Sequence, residues 1–172
     1  MGTVNLKTAS GGSVILSPAN TAVDTTITVP AISAPMAING PAFSAYASTN
    51  QSVSANTATK VLFDTELFDT NNSYATSRFT PTVAGYYSVY SNMYASGTMS
   101  NTQISFFKNG AVYSTPIYIS ASYIMQGASD LVYCNGTTDY IEVYFTNQNA
   151  ATIGGASGSA FVRFSAAMVR SA

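Results

Sequence analysis

Residues 61–90 read VLFDTELFDTNNSYATSRFTPTVAGYYSVY, and they decide the fold. Within them SRFTPTVAGYY (77–87) reads as the end of one strand, a turn and the start of the next. Pro81 lacks an amide hydrogen and sits poorly in a central strand. Gly85 can take backbone angles that other residues avoid. Tyr86, Tyr87, Val89 and Tyr90 continue as a β-favouring run.

Working outward, short β-branched and aromatic runs alternate with Gly, Asn, Ser and Pro clusters along the chain, and no segment carries a capped 3.6-residue apolar period. The chain therefore reads as all-β. Strands are expected at 42–48, 59–68, 74–80, 86–95, 102–107, 111–119, 121–126, 130–134, 139–146 and 159–170, a density that suits a sandwich or jelly roll. FKNGAV (107–112) and YCNGTTDY (133–140) each hold an Asn-Gly pair, the strongest short hairpin signal. TIGGASGSA (152–160) reads as a small-residue loop before the last strand. In DYIEVYF (139–145), Ile141, Val143 and Phe145 point to the core, and Tyr140, Glu142 and Tyr144 point away from it.

Composition changes near residue 40. Residues 3–38 hold no aromatic, and SVILS (13–17), TTITV (25–29) and the weaker TVNLK (3–7) read as small strands. A sheet that small is marginal in water by itself. Residues 1–39 are thus expected to form a β-rich arm that leans on another surface, joined to a domain at 40–172.

Charged residues make up 8% of the 172, against about 25% in an average chain, so Ser, Thr, Asn and Gln must solvate the surface. With six basic and seven acidic residues and no basic block, nucleic-acid binding is not expected. Histidine is absent, which removes the commonest metal ligand and general base. Cys134 is alone, so no disulfide forms within a chain. No signal-peptide segment is read at the N-terminus, no apolar run is long enough to span a membrane, and no membrane partner is expected. The sequons at Asn50, Asn71 and Asn135 are ascribed to the Asn- and Ser-rich composition.

Phe63 is followed after five residues by Asp69 and after four more by Tyr74; Phe79, Gly85 and Tyr87 come next. This order and most of the spacing resemble the fingerprint of the C1q/TNF-like jelly-roll domain. GPAFSAYAS (40–48), FFKNGA (106–111) and SGSAFVRFSAAMV (157–169) resemble its opening strand, mid-domain hairpin and closing strand. The Tyr74–Phe79 gap is shorter than the family usually has, and Val89 stands where an aromatic is usual. The resemblance implies a ten-stranded jelly roll that associates as a compact homotrimer. Twelve Tyr and nine Phe exceed one core's needs, and tyrosine suits interfaces because its ring buries while its hydroxyl stays wet. Tyr86, Tyr90, Tyr140 and Tyr144 are the expected trimer contacts.

Residues 8–31 resemble, mainly in composition, short β-rich segments of bacteriophage virion proteins, and no Gly-X-Y collagen repeat is present. The expected function is a trimeric decoration protein on the surface of a virion, tethered to a major capsid or other virion protein through residues 1–39. The alternative is the receptor-binding knob of a tail or head fibre that recognises a host surface glycan; an arm of about forty residues is too short for a shaft. An enzyme is not expected, and neither a cofactor nor a metal is implied. Asp64 and Glu66 share a strand face, but a solvated pair outweighs glycoside hydrolysis. Asp69 with Asn71 and Asn72 reads as turn capping rather than a Ca²⁺ site, which needs further carboxylates.

Overall fold

The computed structural model describes residues 4–7, 11, 13–16, 40–119, 123–154 and 161–172. The chain divides into two units, 1–33 and 34–172. The first holds one antiparallel pair, β1 (Val4–Lys7) and β2 (Ser13–Leu16), in register from Val4 opposite Leu16 to Lys7 opposite Ser13. The expected strand at 25–29 lies outside the described residues.

The second unit is all-β among the described residues and forms two antiparallel sheets. In chain order its strands are β3 (Ala42–Tyr46), β4 (Asn50–Val53), β5 (Thr59–Lys60), β6 (Thr65–Asp69), β7 (Tyr74–Ala75), β8 (Arg78–Phe79), β9 (Ala84–Gly97), β10 (Thr102–Lys108), β11 (Ala111–Ile119), β12 (Tyr123–Asn135), β13 (Ile141–Thr146), β14 (Ala151–Gly154) and β15 (Arg163–Ser171). One sheet runs β11-β10-β13-β8-β7, with β5 also on β13. The other runs β12-β9-β15-β3-β6, and its β9 also carries β14 and then β4.

The core lies between the sheets. Phe43 is its hub: it stacks on Tyr74 and Phe79 at 4.5 and 4.7 Å and meets Phe164 edge-on at 4.8 Å. Phe63 joins through Phe164 at 5.5 Å. Ile141, Val143 and Phe145 are fully buried, as the alternation in 139–145 implies.

Several elements differ from the sequence reading, each for a physical reason. The expected breaks between 121–126 and 130–134 are absent from the described part of β12, which is continuous through Gly127. Glycine fits there because Tyr90 of β9 lies over it: an added Cβ would be 2.8 Å from the Tyr90 hydroxyl. The Asn109-Gly110 pair does turn a hairpin, both residues at positive φ. The Asn135-Gly136 pair does not. It carries the chain from β12 in one sheet to β13 in the other, and Asn135 Oδ1 accepts the amides of Thr137, Thr138 and Asp139. Residues 152–154, read as the start of a loop, belong instead to β14, a strand between β4 and β9. The expected strand 59–68 splits, because 61–64 cross from one sheet to the other.

Candidate functional site

The fingerprint residues hold the crossing between the sheets. Phe63 and Phe79 are buried in the core. Asp69 Oδ2 accepts the Tyr74 amide at 2.8 Å, and the Tyr74 hydroxyl donates to the Phe63 carbonyl at 2.7 Å. The Tyr87 hydroxyl donates to the Val83 carbonyl at 2.6 Å. A Cβ on Gly85 would lie 2.4 Å from the Arg170 carbonyl oxygen, so only glycine lets β9 and β15 approach there. Burial drives the Tyr74 and Tyr87 hydroxyls far above their ordinary range, so both stay protonated donors.

On β9 the residues alternate strictly: Gly85, Tyr87, Val89, Ser91, Met93 and Ala95 are buried, while Tyr86, Ser88 and Tyr90 face out. β12 pairs with it so that Tyr133 stands opposite Tyr86, Leu131 opposite Ser88 and Met125 opposite Tyr94. The Tyr86 and Tyr133 rings are 5.5 Å apart. Tyr86, Tyr90, Met125, Leu131, Tyr133 and Val169 are each 40% or more exposed, so one sheet face carries a broad uncovered apolar patch. Exposed patches of that kind mark interaction sites.

Two hollows mark the face. One, of about 290 Å³, has a floor of Ala42, Ser88, Ser165 and Ala167 between Phe68 and Tyr90. The other, of about 640 Å³, is lined by Tyr86, Leu131, Val169, Arg170, Ser171 and Ala172. The register of β15 against β9 slips between Met168, opposite Tyr87, and Arg170, opposite Tyr86. This bulge sets Val169 and Arg170 together on the outer face, and bulges commonly re-aim a side chain in this way. Strict alternation would have put Arg170 on the Met168 side.

Tyr140 and Tyr144 lie elsewhere. They belong to the other sheet and its turn, where the Arg78 guanidinium sits 3.8 Å over the Tyr140 ring and Phe107 stacks on Tyr144 at 3.9 Å. Tyr86 and Tyr90 thus share one face, and Tyr140 and Tyr144 are not on it. Between the latter two is Glu142, only 2% exposed. Its Oε1 is 2.6 Å from Lys60 Nζ and 2.9 Å from Arg78 Nε. Burial raises its pKa, but the hydrogen bonds and charges of Lys60 and Arg78 outweigh that and hold the carboxyl below its ordinary range. Sequence reading missed this cluster: Lys60 and Arg78 lie 82 and 64 residues from Glu142 and 18 from each other, and only the sheet register brings the three together.

Asp64 and Glu66 do not share a strand face. Asp64 lies before β6 and accepts the Ser48 amide and hydroxyl, each at 2.8 Å, whereas Glu66 stands opposite Ala45. Asp69 takes the Tyr74 and Asn71 amides, as turn capping requires. Among the described residues no three His, Cys, Asp or Glu side chains cluster as a metal would need. No described helix is long and apolar enough to cross a membrane. Cys134 is fully buried, and burial pushes its thiol up to about 11. A disulfide reagent at pH 8 should leave Cys134 unmodified in the folded protein and label it fully in denaturant. Rapid labelling without denaturant would show that β12 opens from β9.

No family model matches the chain, and no curated protein sequence does either. Among solved structures it is similar to murine APRIL, with 13% identity and a TM-score of 0.57 over 76% of this chain and 100% of that one. It is similar to the globular domain of zebrafish complement 1qA protein, at 15% identity and a TM-score of 0.51 over 78% and 100%. Eiger TNF from S. frugiperda matches at 11% identity and 0.51 over 77% and 93%. The fold is therefore a C1q/TNF-like jelly roll.

Proposed function

We propose that the chain is a homotrimeric structural protein of a bacteriophage particle, a surface decoration whose jelly roll projects outward while residues 1–39 tether it. The observation that carries the assembly is the uncovered aromatic face of the β12-β9-β15 sheet: a face this apolar is covered at little cost by further copies. The C1q/TNF-like fold favours three copies. Placement on a virion rests on the sequence of the arm, with its β-branched strands and lack of aromatics. Unpaired strand edges in such an arm can pair with another protein's sheet, and three arms on one trimer bind with avidity.

Light scattering at micromolar concentration should give a mass near three times the 18.0 kDa chain. A chain lacking residues 1–36 should keep that mass yet fail to sediment with particles stripped of the native protein. Binding equal to the full chain would make the jelly roll the anchor.

The second reading, a fibre knob that recognises a host glycan, is favoured by one uncharged end of the sandwich. There Ser100, Asn101, Tyr118 and Gln148 form an amide and hydroxyl network of the chemistry that sugars meet. Copy number per particle separates the two: hundreds for a decoration, a handful for fibres.

A further inference from the structure

One end of the sandwich is built without charge. Residues 97–102, 117–119 and 146–151 come together there and hold no Asp, Glu, Lys or Arg. A hard metal ion would call for carboxylates and an anion for a cation, so neither suits this end.

Asn147 fixes the end from inside. It is fully buried, and its side chain is fully engaged. Its Oδ1 accepts the Ser100 amide at 2.9 Å and the Thr102 hydroxyl at 2.8 Å, while Nδ2 donates to the Thr98 and Asn149 carbonyls at 3.0 and 2.8 Å. The Asn147 carbonyl also accepts the Asn56 amide at 2.8 Å. Three connections are thus tied to one residue, and loops held in this way lose little freedom when a ligand arrives.

On the outside the polar groups form one line. The Tyr118 hydroxyl donates to Asn101 Oδ1 at 3.1 Å, Asn101 Nδ2 donates to Gln148 Oε1 at 3.0 Å, and the Ser100 hydroxyl donates to that same oxygen at 2.9 Å. Asn101 reaches both neighbours from a backbone at φ 48°, in the left-handed region that asparagine tolerates. With Oε1 doubly engaged, the Gln148 Nε2 hydrogens stay open to a ligand. So does Oδ1 of Asn149, whose Nδ2 donates to the Thr98 carbonyl at 3.1 Å. Tyr118 is 63% exposed, so its ring offers an apolar surface, held at its hydroxyl beside amide donors and acceptors. Its ladder partner is Gln103 of β10, which places it on the other sheet from the aromatic face.

We infer that this end is a subsite for an uncharged pyranose residue. The sugar's C–H face lies on the Tyr118 ring, and its hydroxyls, each able to donate and accept, meet Gln148 Nε2 and Asn149 Oδ1. Asn147 is a positioning residue. The inference rests on the glycan-recognising reading and gives that reading its site and its sugar class.

The test is a nuclear magnetic resonance titration of the full chain with the methyl glycosides of glucose, galactose, mannose and rhamnose, with methyl β-glucuronide as the charged control. Binding should shift the amide resonances of residues 98–101 and 147–149, and the charged control should bind no more tightly than its neutral parent. Tyr118→Ala should weaken binding about tenfold and Gln148→Ala about threefold or more, while Tyr118→Phe, which keeps the ring, should stay within about threefold of the native chain. Both side chains are exposed, so thermal midpoints should hold within about a degree or two. Binding that shifts other residues, or that survives Tyr118→Ala, overturns the site and leaves the glycan reading standing. Preference for the glucuronide overturns the sugar class. A panel in which no glycoside binds removes the glycan reading together with the inference.

Discussion

Replacing Phe79 with alanine should cost about 3–5 kcal/mol of folding stability, a large part of the roughly 5–15 kcal/mol a domain possesses. Phe79 is fully buried. It belongs to β8, which is two residues long and meets β13 through the single pair Phe79–Ile141. So short a strand gains little from its ladder and is held by its side chain. That ring stacks on Phe43 at 4.7 Å and meets Tyr87 edge-on at 5.4 Å. Truncation leaves a cavity walled by the Phe43 and Tyr87 rings of the facing sheet, which cannot close without moving the hub residue Phe43. At about 2–4 °C per kcal/mol for a chain of this size, the thermal midpoint should fall by roughly 6–20 °C. Phe63→Ala should behave alike, since Phe63 is 1% exposed and packs on Phe164. Phe68→Ala is the control: its ring is half exposed, and the midpoint of the isolated chain should shift by only about a degree or two. Midpoints unchanged in both core variants would show that these rings do not hold the sandwich together.

Glu142→Ala should be the next most damaging change. The substitution leaves Lys60 and Arg78 facing each other across the vacated site with no counter-charge. Breaking a fully buried pair costs about 3–5 kcal/mol. Lys60 and Arg78 keep 26% and 42% of their side-chain surface in water, so roughly 2–3 kcal/mol is expected here. The loss is local in consequence. Lys60 belongs to β5 and Arg78 to β8, and both strands pair with the same side of β13. Glu142 thus fastens both ends of the 61–77 excursion that carries β6 to the other sheet. Hydrogen exchange should speed up in that excursion before it does in β9 or β12.

The same carboxylate sets a pH dependence. Its folded-state pKa is lowered by Lys60 and Arg78, so its contribution is fully present above the unfolded value of about 4.3 and is lost as pH falls through the folded value. Asp139 acts in the same direction: burial raises its pKa, but hydrogen bonds from Asn109, Lys108 and Asn135 outweigh that. Urea midpoints of the native chain should therefore fall steadily below about pH 4.3. Glu142→Gln should start lower at pH 7 and fall less. Parallel curves for the two proteins would remove Glu142 as the source.

Much of the jelly roll could be read along the chain, because a strand writes its two faces in alternate residues. Val89 and Tyr87 face in and Tyr86 and Tyr90 face out by that rule, and Ile141, Val143 and Phe145 follow it into the core. The Asn109-Gly110 hairpin was legible for a local reason, since both of its residues adopt positive φ. The spacing from Phe63 to Tyr87 carried the topology because each of its residues serves the crossing between sheets. Low charge and absent histidine set the chemistry that a site could use.

What stayed hidden depends on which strands become neighbours. Asn135-Gly136 looks like Asn109-Gly110 in sequence, yet it joins two sheets, because β12 finds its partner in β9 and β13 finds its own in β10. Gly127 looks like a break until Tyr90 is seen to lie over it. Tyr86 and Tyr140 read alike as surplus tyrosines, but one lies on the open face and the other under Arg78. Glu142 looked solvent-facing by alternation and was buried by cations from two distant strands. Arg170 changed faces through a one-residue bulge that alternation cannot register. Local sequence determined which residues pair well with water, with a strand or with a turn. Tertiary structure alone decided which of them meet, because strand order and bulges join residues that the chain keeps far apart.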